Sequence, residues 1–210
     1  MSTYATDNQI MCENCDKFFV AYAHIQTEFD LDVPHKEISD SYEEKLNRIT
    51  CPFCRQDFTY ETDILFYSFI NKFAVYCSCK KMFLEVANFK TAMKICGFDN
   101  WDFRVCTYSY EAFEKIRILT VGLDDAKINL LKAKKFPQYR NMNPKDEYIS
   151  FESCDDTTLY FSHRDFTGKV LEKLSVCRED YNSIPDLQTE KGNWVILDKE
   201  WTINKLEELK

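Results

Sequence analysis

The sequence predicts an α+β protein, and three observations predict it. Two Cys-x-x-Cys pairs near the start are each followed by a strand-like pattern, which gives N-terminal antiparallel strands. A middle segment, about residues 81–136, carries apolar residues at helical spacing. Residues 146–210 return to short alternating runs divided by turn residues, the pattern of a small C-terminal antiparallel sheet.

The elements follow in order. After the first pair, Phe18, Val20, Tyr22, His24 and Ile25 alternate approximately as a half-buried strand does. Residues 40–48 (DSYEEKLNR) suit a short helix, with Asp40 or Ser41 as cap and Glu43 and Glu44 in the first turn. ITCPFCRQDFTYETDILFY reads as a second Cys turn leading into a long strand. SFINKF then closes a hairpin onto FAVYCSC. Residues 84–96 are expected to be helical and to end at Gly97, and WDFRVCTY to be a strand. SYEAFEKIRIL has Ser109 as expected N-cap, with Phe113, Ile116 and Leu119 on one face. In VGLDDAKINLLKAKKF, Asp124 is the expected N-cap and Leu123 and Ile128 form a hydrophobic staple. Lys132, Lys134 and Lys135 fall in the last turn, where they oppose the helix dipole on a solvated end. EYISFES and TTLYFSH flank a Cys154-Asp155-Asp156 turn. KVLEKLSV is a further strand, REDYNSI a short helix stopped near Pro185, NWVIL a short strand, and 199–210 a terminal helix.

The expected division is one domain over 1–136 and an α+β extension over 146–210 packed on it. Within the first, a metal-bearing part covers about 10–80 and the helical segment about 81–136.

Composition bounds the function. The chain has 210 residues, is 45% hydrophobic, and has only 4 Gly and 5 Pro, so it can bury a core and has no obvious linker. Net charge is −8. Residues 1–80 hold 7 Lys/Arg against 13 Asp/Glu, a balance of −6. That disfavours nucleic acid as a partner, because such affinity comes mainly from cations neutralising phosphates. Another protein is the expected partner. MSTYATDNQIMCENCDKFFV lacks a basic region followed by an apolar one, and no apolar run approaches bilayer length, so no membrane association is expected. A cytoplasmic protein is the reading that follows. In such a reducing compartment, paired Cys-x-x-Cys is more often metal-binding or redox-active than disulfide-forming.

Cys12-Glu13-Asn14-Cys15 and Cys51-Pro52-Phe53-Cys54 are separated by 35 residues. A Cys-x-x-Cys turn lets two sulfurs reach one ion, and two such turns complete a tetrahedral Cys₄ shell. The layout of Cys turn, strand, insertion, Cys turn, strand is that of a zinc ribbon. Two unrelated buried pairs and redox chemistry are the competing readings. A redox pair should open a helix, whereas RQDFTYE after Cys54 reads as strand. The expected cofactor is one structural Zn²⁺ held by Cys12, Cys15, Cys51 and Cys54. Cys77 and Cys79 can share a strand face and offer a second metal site, but small buried hydrophobes are the default. Cys96, Cys106 and Cys177 are expected in the core, and Cys154 in an exposed turn.

Other chemistry finds little support. His24, His35 and His163 have no ligand spacing. There is no Gly-rich phosphate loop and no Gly-x-Ser-x-Gly elbow. Capping explains the Asp124-Asp125 carboxylate pair, and core packing explains most of the 17 Phe and 12 Tyr. No catalytic residue is expected. An enzyme would instead show as a cleft holding a titratable group with a perturbed pKa.

With these residues in hand, the sequence resembles the CpXC domain family, prokaryotic proteins named for paired Cys-Pro-x-Cys motifs. DLDVPHKEISDSYEEKLNRITCPFCRQDFTYETDILFYSFINKFAVY and EKIRILTVGLDDAKINLLKAK carry the likeness beyond the cysteines, over residues 10 to about 136. The resemblance implies a zinc ribbon in a bacterial protein and no particular reaction. Three positions depart from the pattern. Glu13 stands where the first motif usually has Pro, and Asp16 and Arg55 stand where a Gly often follows each pair. That glycine helps the turn reach φ > 0.

Overall fold

The computed structural model describes residues 2–12, 14–33, 48–59, 63–78, 97–187, 189, 191, 192 and 194–209. The helix expected over 84–96, with Cys79 and Cys96, lies outside them. So does the helix expected over 40–48, except for Arg48, which instead opens a strand.

The chain begins with β1 (Ser2–Met11), a strand the sequence reading did not assign. STYATDNQIM is polar and shows no apolar alternation; its conformation is fixed by antiparallel pairing to β2 (Phe18–Asp30). β3 (Arg48–Thr50) and β4 (Asp57–Thr59) form a second, shorter hairpin. β5 (Asp63–Ser68) and β6 (Phe73–Cys77) make the expected hairpin, and β7 (Asp102–Cys106) is the expected strand. Two helices follow, α1 (Ser109–Thr120) and α2 (Asp125–Lys135). β8 (Glu147–Cys154), β9 (Thr158–Asp165) and β10 (Val170–Cys177) come next. The chain ends with α3 (Arg178–Asn182), β11 (Trp194–Val195) and α4 (Lys199–Glu208). No described helix is long and apolar enough to cross a membrane.

The large sheet runs β1-β2-β5-β6-β7-β11. Its N-terminal hairpins are antiparallel as expected, but β2 with β5, β6 with β7 and β7 with β11 pair in parallel. Parallel neighbours cannot be joined by a tight hairpin turn, and long stretches of chain separate β2 from β5, β6 from β7 and β7 from β11. β8, β9 and β10 form the expected small antiparallel sheet. The short strand of NWVIL does not join it. β11 crosses back to β7 of the large sheet.

α1 lies between two cores. One face packs with Phe29, Phe66, Val75, Cys77 and Cys106 of the large sheet. Ile118 packs with Ile128, Leu131, Phe151, Leu159 and Phe161 on the other side. Leu123 and Ile128, the expected staple, are both buried in that second core. Most aromatic rings pack as expected, such as Phe29 on Phe66 at 5.1 Å. Phe18, Tyr22, Phe53, Phe69 and Phe166 are exposed instead.

Two capping expectations had different outcomes. Asp124 caps α2, its Oδ1 accepting from the N–H groups of Ala126 and Lys127 at 2.8 and 3.3 Å. At α1 the cap is Tyr108 and not Ser109. The Glu111 carboxylate reaches back to accept from the Thr107 and Tyr108 N–H groups, the N3 half of a capping box. Among the other cysteines, Cys106 is buried as expected. Cys177 is exposed, because it ends the edge strand β10. Cys154 is half-buried against the second core, because it closes β8 rather than sitting in the turn.

Candidate metal centre

Both Cys turns are tips of antiparallel hairpins, and they are built alike. Met11 pairs with Phe18 across the first, and Thr50 with Asp57 across the second. In the first, the Cys12 N–H donates to the Lys17 carbonyl at 3.0 Å and the Asp16 N–H to the Cys12 carbonyl at 2.8 Å. In the second, the Cys51 N–H donates to Gln56 and the Arg55 N–H to Cys51, both at 2.9 Å. The chain must turn sharply after the second cysteine, and it does so through φ +55° at Asp16 and φ +59° at Arg55. These are the two positions at which the sequence departs from the glycine expected after each pair.

A side chain with a Cβ is strained at positive φ by roughly 1–2 kcal/mol. Asp accommodates this better than Arg. Arg55 is exposed, so Arg55→Gly removes strain without opening a cavity. It is expected to stabilise the second turn by about 0.5–1 kcal/mol net of the entropy glycine costs. A higher midpoint in thermal or chelator titration checks this, and Asp16→Gly should gain less.

The two turns meet sulfur to sulfur. Cys12 Sγ lies 3.7 Å from Cys54 Sγ, and Cys15 Sγ 3.8 Å from Cys51 Sγ. All four sulfurs fall within 4.8 Å of one another. A disulfide would need about 2.05 Å. Four sulfurs at ~2.3 Å from a central ion stand ~3.8 Å apart at the corners of a tetrahedron. The set therefore fits one tetrahedral ion, and these four cysteines can hold a metal. It is the only such group of His, Cys, Asp and Glu among the described residues. Cys77 is buried beside Cys106 on the adjacent parallel strand, and its proposed partner Cys79 lies outside the described residues.

Cys12 and Cys51 are buried, whereas Cys15 and Cys54 are half-buried. The sulfurs do not ionise alike. The Asn14 side chain and the Gln56 backbone N–H stabilise the Cys54 thiolate and bring it down to about 6. At Cys15 the Lys17 backbone N–H also favours the thiolate. Burial and the three neighbouring sulfurs outweigh it and push that thiol up to about 12. A thiolate is easily made at Cys54 and not at Cys15, unless a cation sits among the sulfurs. Asn14 carries no ligand atom and is invisible to a cysteine count; it matters because it reaches from the first turn to a sulfur of the second. Lys17 makes a second tie, its Nζ lying 5.0 Å from the centre of the Phe53 ring.

A second polar cluster lies inside the fold, and the sequence reading missed it. Arg104 of β7 is 1% exposed. It donates to both oxygens of Asp125, at 2.9–3.1 Å, and to Asp102 at 3.2 Å. Lys115 of α1 donates to Asp125 at 3.1 Å and to the Leu197 carbonyl at 3.1 Å. Asp125 is thus not a capping residue but the acceptor for two buried cations. Lys132 is buried rather than solvated, held by the Glu114 carboxylate at 2.8 and 3.0 Å. α1 and β8 cover the last turn of α2 at this point; Lys134 and Lys135 stay exposed as expected. A small cavity of about 40 Å³ adjoins these groups, lined by Glu111, Glu114, Lys115, Lys132 and Lys199 among others. Burial raises the Glu111 carboxyl and lowers the Lys199 ammonium. The space is of water size, and Lys115 and Lys132 along its wall are neutralised by carboxylates. His163 is on the small sheet, bonded to Glu147 at 2.8 Å, and is not part of the four-sulfur group.

Comparison with curated proteins and with solved structures gave no match. A family model, described as CpXC protein, matches residues 10–132. That span takes in both Cys turns, the strands of the large sheet from β2 to β7, α1 and most of α2, with Asp125. The match covers more than half of the chain, and with it the resemblance carried by the paired cysteines becomes a membership: this protein belongs to the CpXC family.

Proposed function

We propose that the Cys12, Cys15, Cys51 and Cys54 centre holds one structural Zn²⁺, and that the chain is a non-enzymatic protein-interaction module of the bacterial cytoplasm. The observation that carries this is the closed four-sulfur set. It spends all four tetrahedral positions on protein ligands and leaves none for water or substrate. Zinc suits the set because it takes tetrahedral thiolate shells and has no redox chemistry to protect. Bound there, it would clamp two hairpin tips that have few apolar residues of their own. Ten cysteines without a disulfide among the described ones suit a reducing compartment.

A second reading, a nucleic-acid-binding regulator, draws on one observation. The clamped tips present exposed Phe53 beside Lys17, with Phe18 and Tyr22 exposed on β2. An aromatic ring next to a cation is a means of stacking on bases. The net charge of −6 over residues 1–80 counts against it.

A photo-crosslinking residue in place of Phe53, activated in the producing cells, separates the two. Protein adducts of defined mass are expected. Adducts to nucleic acid alone, matched by in vitro binding that falls steeply with salt, would replace the first reading with the second.

A further inference from the structure

The large sheet ends on β1, and no described strand pairs with its outer side. Such an edge presents a row of unpaired N–H and C=O groups. Soluble proteins guard edges with Lys, Pro, register breaks or short length. The other edges of the two larger sheets carry these guards. β11, at the far end of the same sheet, has 2 residues. β10 has Lys173 in mid-strand and a register break between Val170 and Glu172. β8 has a break in mid-strand, between Phe151 and Ser153.

β1 has none of them where it counts. It runs for 10 residues without Lys, Arg or Pro, and Asp7 is its only charge. Its single register break lies between Tyr4 and Ala5, which leaves Ala5–Met11 unbroken. The face beside this edge is also apolar: Met11 lies opposite Phe18, and Phe18, Val20 and Tyr22 are 58%, 69% and 70% exposed.

We infer that β1 is a homodimerisation edge, paired antiparallel with β1 of a second copy about a two-fold axis perpendicular to the sheet. Self-complementarity is what selects a second copy. Such an axis keeps the faces of the two sheets aligned, so residues of like orientation must oppose each other. The register centred on Asn8 does this and pairs the whole Ala5–Met11 run with itself. Asp7 then stands opposite the partner's Gln9, Thr6 opposite the partner's Ile10, and Ala5 opposite the partner's Met11. No like charges meet, and each carboxylate faces an amide donor. The contact is isologous and closes on itself, the commonest form of soluble oligomer. This deepens the interaction-module reading by naming one partner.

Light scattering on the full zinc-loaded chain tests it, at about 100 µM, well above a micromolar dissociation constant. The expected mass is twice the 25.0 kDa of one chain. Gln9→Glu places a carboxylate opposite Asp7 twice in the dimer. Both side chains are exposed on β1, so the fold is untouched, and the dissociation constant should rise at least tenfold. Lys173→Glu, on the guarded edge of β10, should leave the mass unchanged. A monomer at this concentration, or a dimer that Gln9→Glu does not weaken, overturns the inference. A monomer that still gave protein crosslinks at Phe53 would overturn pairing with a copy while leaving the broader reading in place.

Discussion

Cys51→Ser is expected to cost at least ~3 kcal/mol of stability, because it removes one of four ligands that, with the proposed metal bound, would supply folding energy, ~10–16 kcal/mol apparent in small zinc domains. Cys51 is 0% exposed, and its sulfur lies 3.8 Å from that of Cys15. Serine there removes a thiolate and leaves a hydroxyl among three sulfurs. The loss should appear first at the second turn, where β3 and β4 are only 3 residues each. Neither strand belongs to one of the larger sheets. In hydrogen exchange, amides of β3 and β4 should lose protection while α1 and α2 keep theirs. The thermal midpoint should fall by about 6–12 °C. A strong chelator should reproduce the effect in the parent protein. Acid should too, since thiolates must be deprotonated to hold the metal and are protonated as pH falls. Unchanged exchange at β3 and β4 in the variant would show that the metal does not hold this hairpin.

Asp125→Ala is expected to destabilise the fold by about 3–5 kcal/mol, since it leaves two buried cations with too little counter-charge. Asp125 is 0% exposed, and Arg104 and Lys115 are also buried. Burial alone would raise the Asp125 carboxyl. Lys115 and Arg104 overcome that and hold it well below the usual carboxylate range. The sign of the pH dependence follows. With its folded pKa depressed, Asp125 contributes stability that is present above the unfolded value of about 4. That contribution is lost as pH falls toward the folded value. The gap between Asp125→Ala and the parent should therefore be full at neutral pH and shrink in acid, read by urea titration at several pH values. Replacing Arg104, Lys115 and Asp125 together with apolar residues of similar volume should recover much of the loss. A single substitution that cost less than about 1 kcal/mol would put this cluster among ordinary surface pairs.

The metal centre was legible in the sequence because its determinants are local. Each Cys-x-x-Cys spacing fixes its own turn, and the glycine missing at Asp16 and Arg55 pointed to two of the three non-glycine residues with positive φ among the described residues. The cluster around Asp125 was not legible, for the opposite reason. Its partners lie 21 and 10 residues away. Only the packing of α1 and α2 on β7 brings them together. Arg104 did leave a signal, as a lone cation between Phe103 and Val105 in a strand pattern. Lys132 left none, because a Lys in the last turn of a helix reads the same whether water or Glu114 receives it. β1 was hidden by its polar sequence; a strand whose conformation comes from its neighbour carries little pattern of its own. Cys106 and Cys177 show the limit of apolar context. Both end strands, but only Cys106 lies on an inner strand.

The central claim is that the four sulfurs hold a metal that clamps the two hairpins. Elemental analysis of the purified chain, paired with thiol labelling in the native state, tests it most directly. About one zinc per chain is predicted, with Cys12, Cys15, Cys51 and Cys54 unreactive until a chelator is added. Less than about half an equivalent of any metal, with all four cysteines freely labelled, would contradict it.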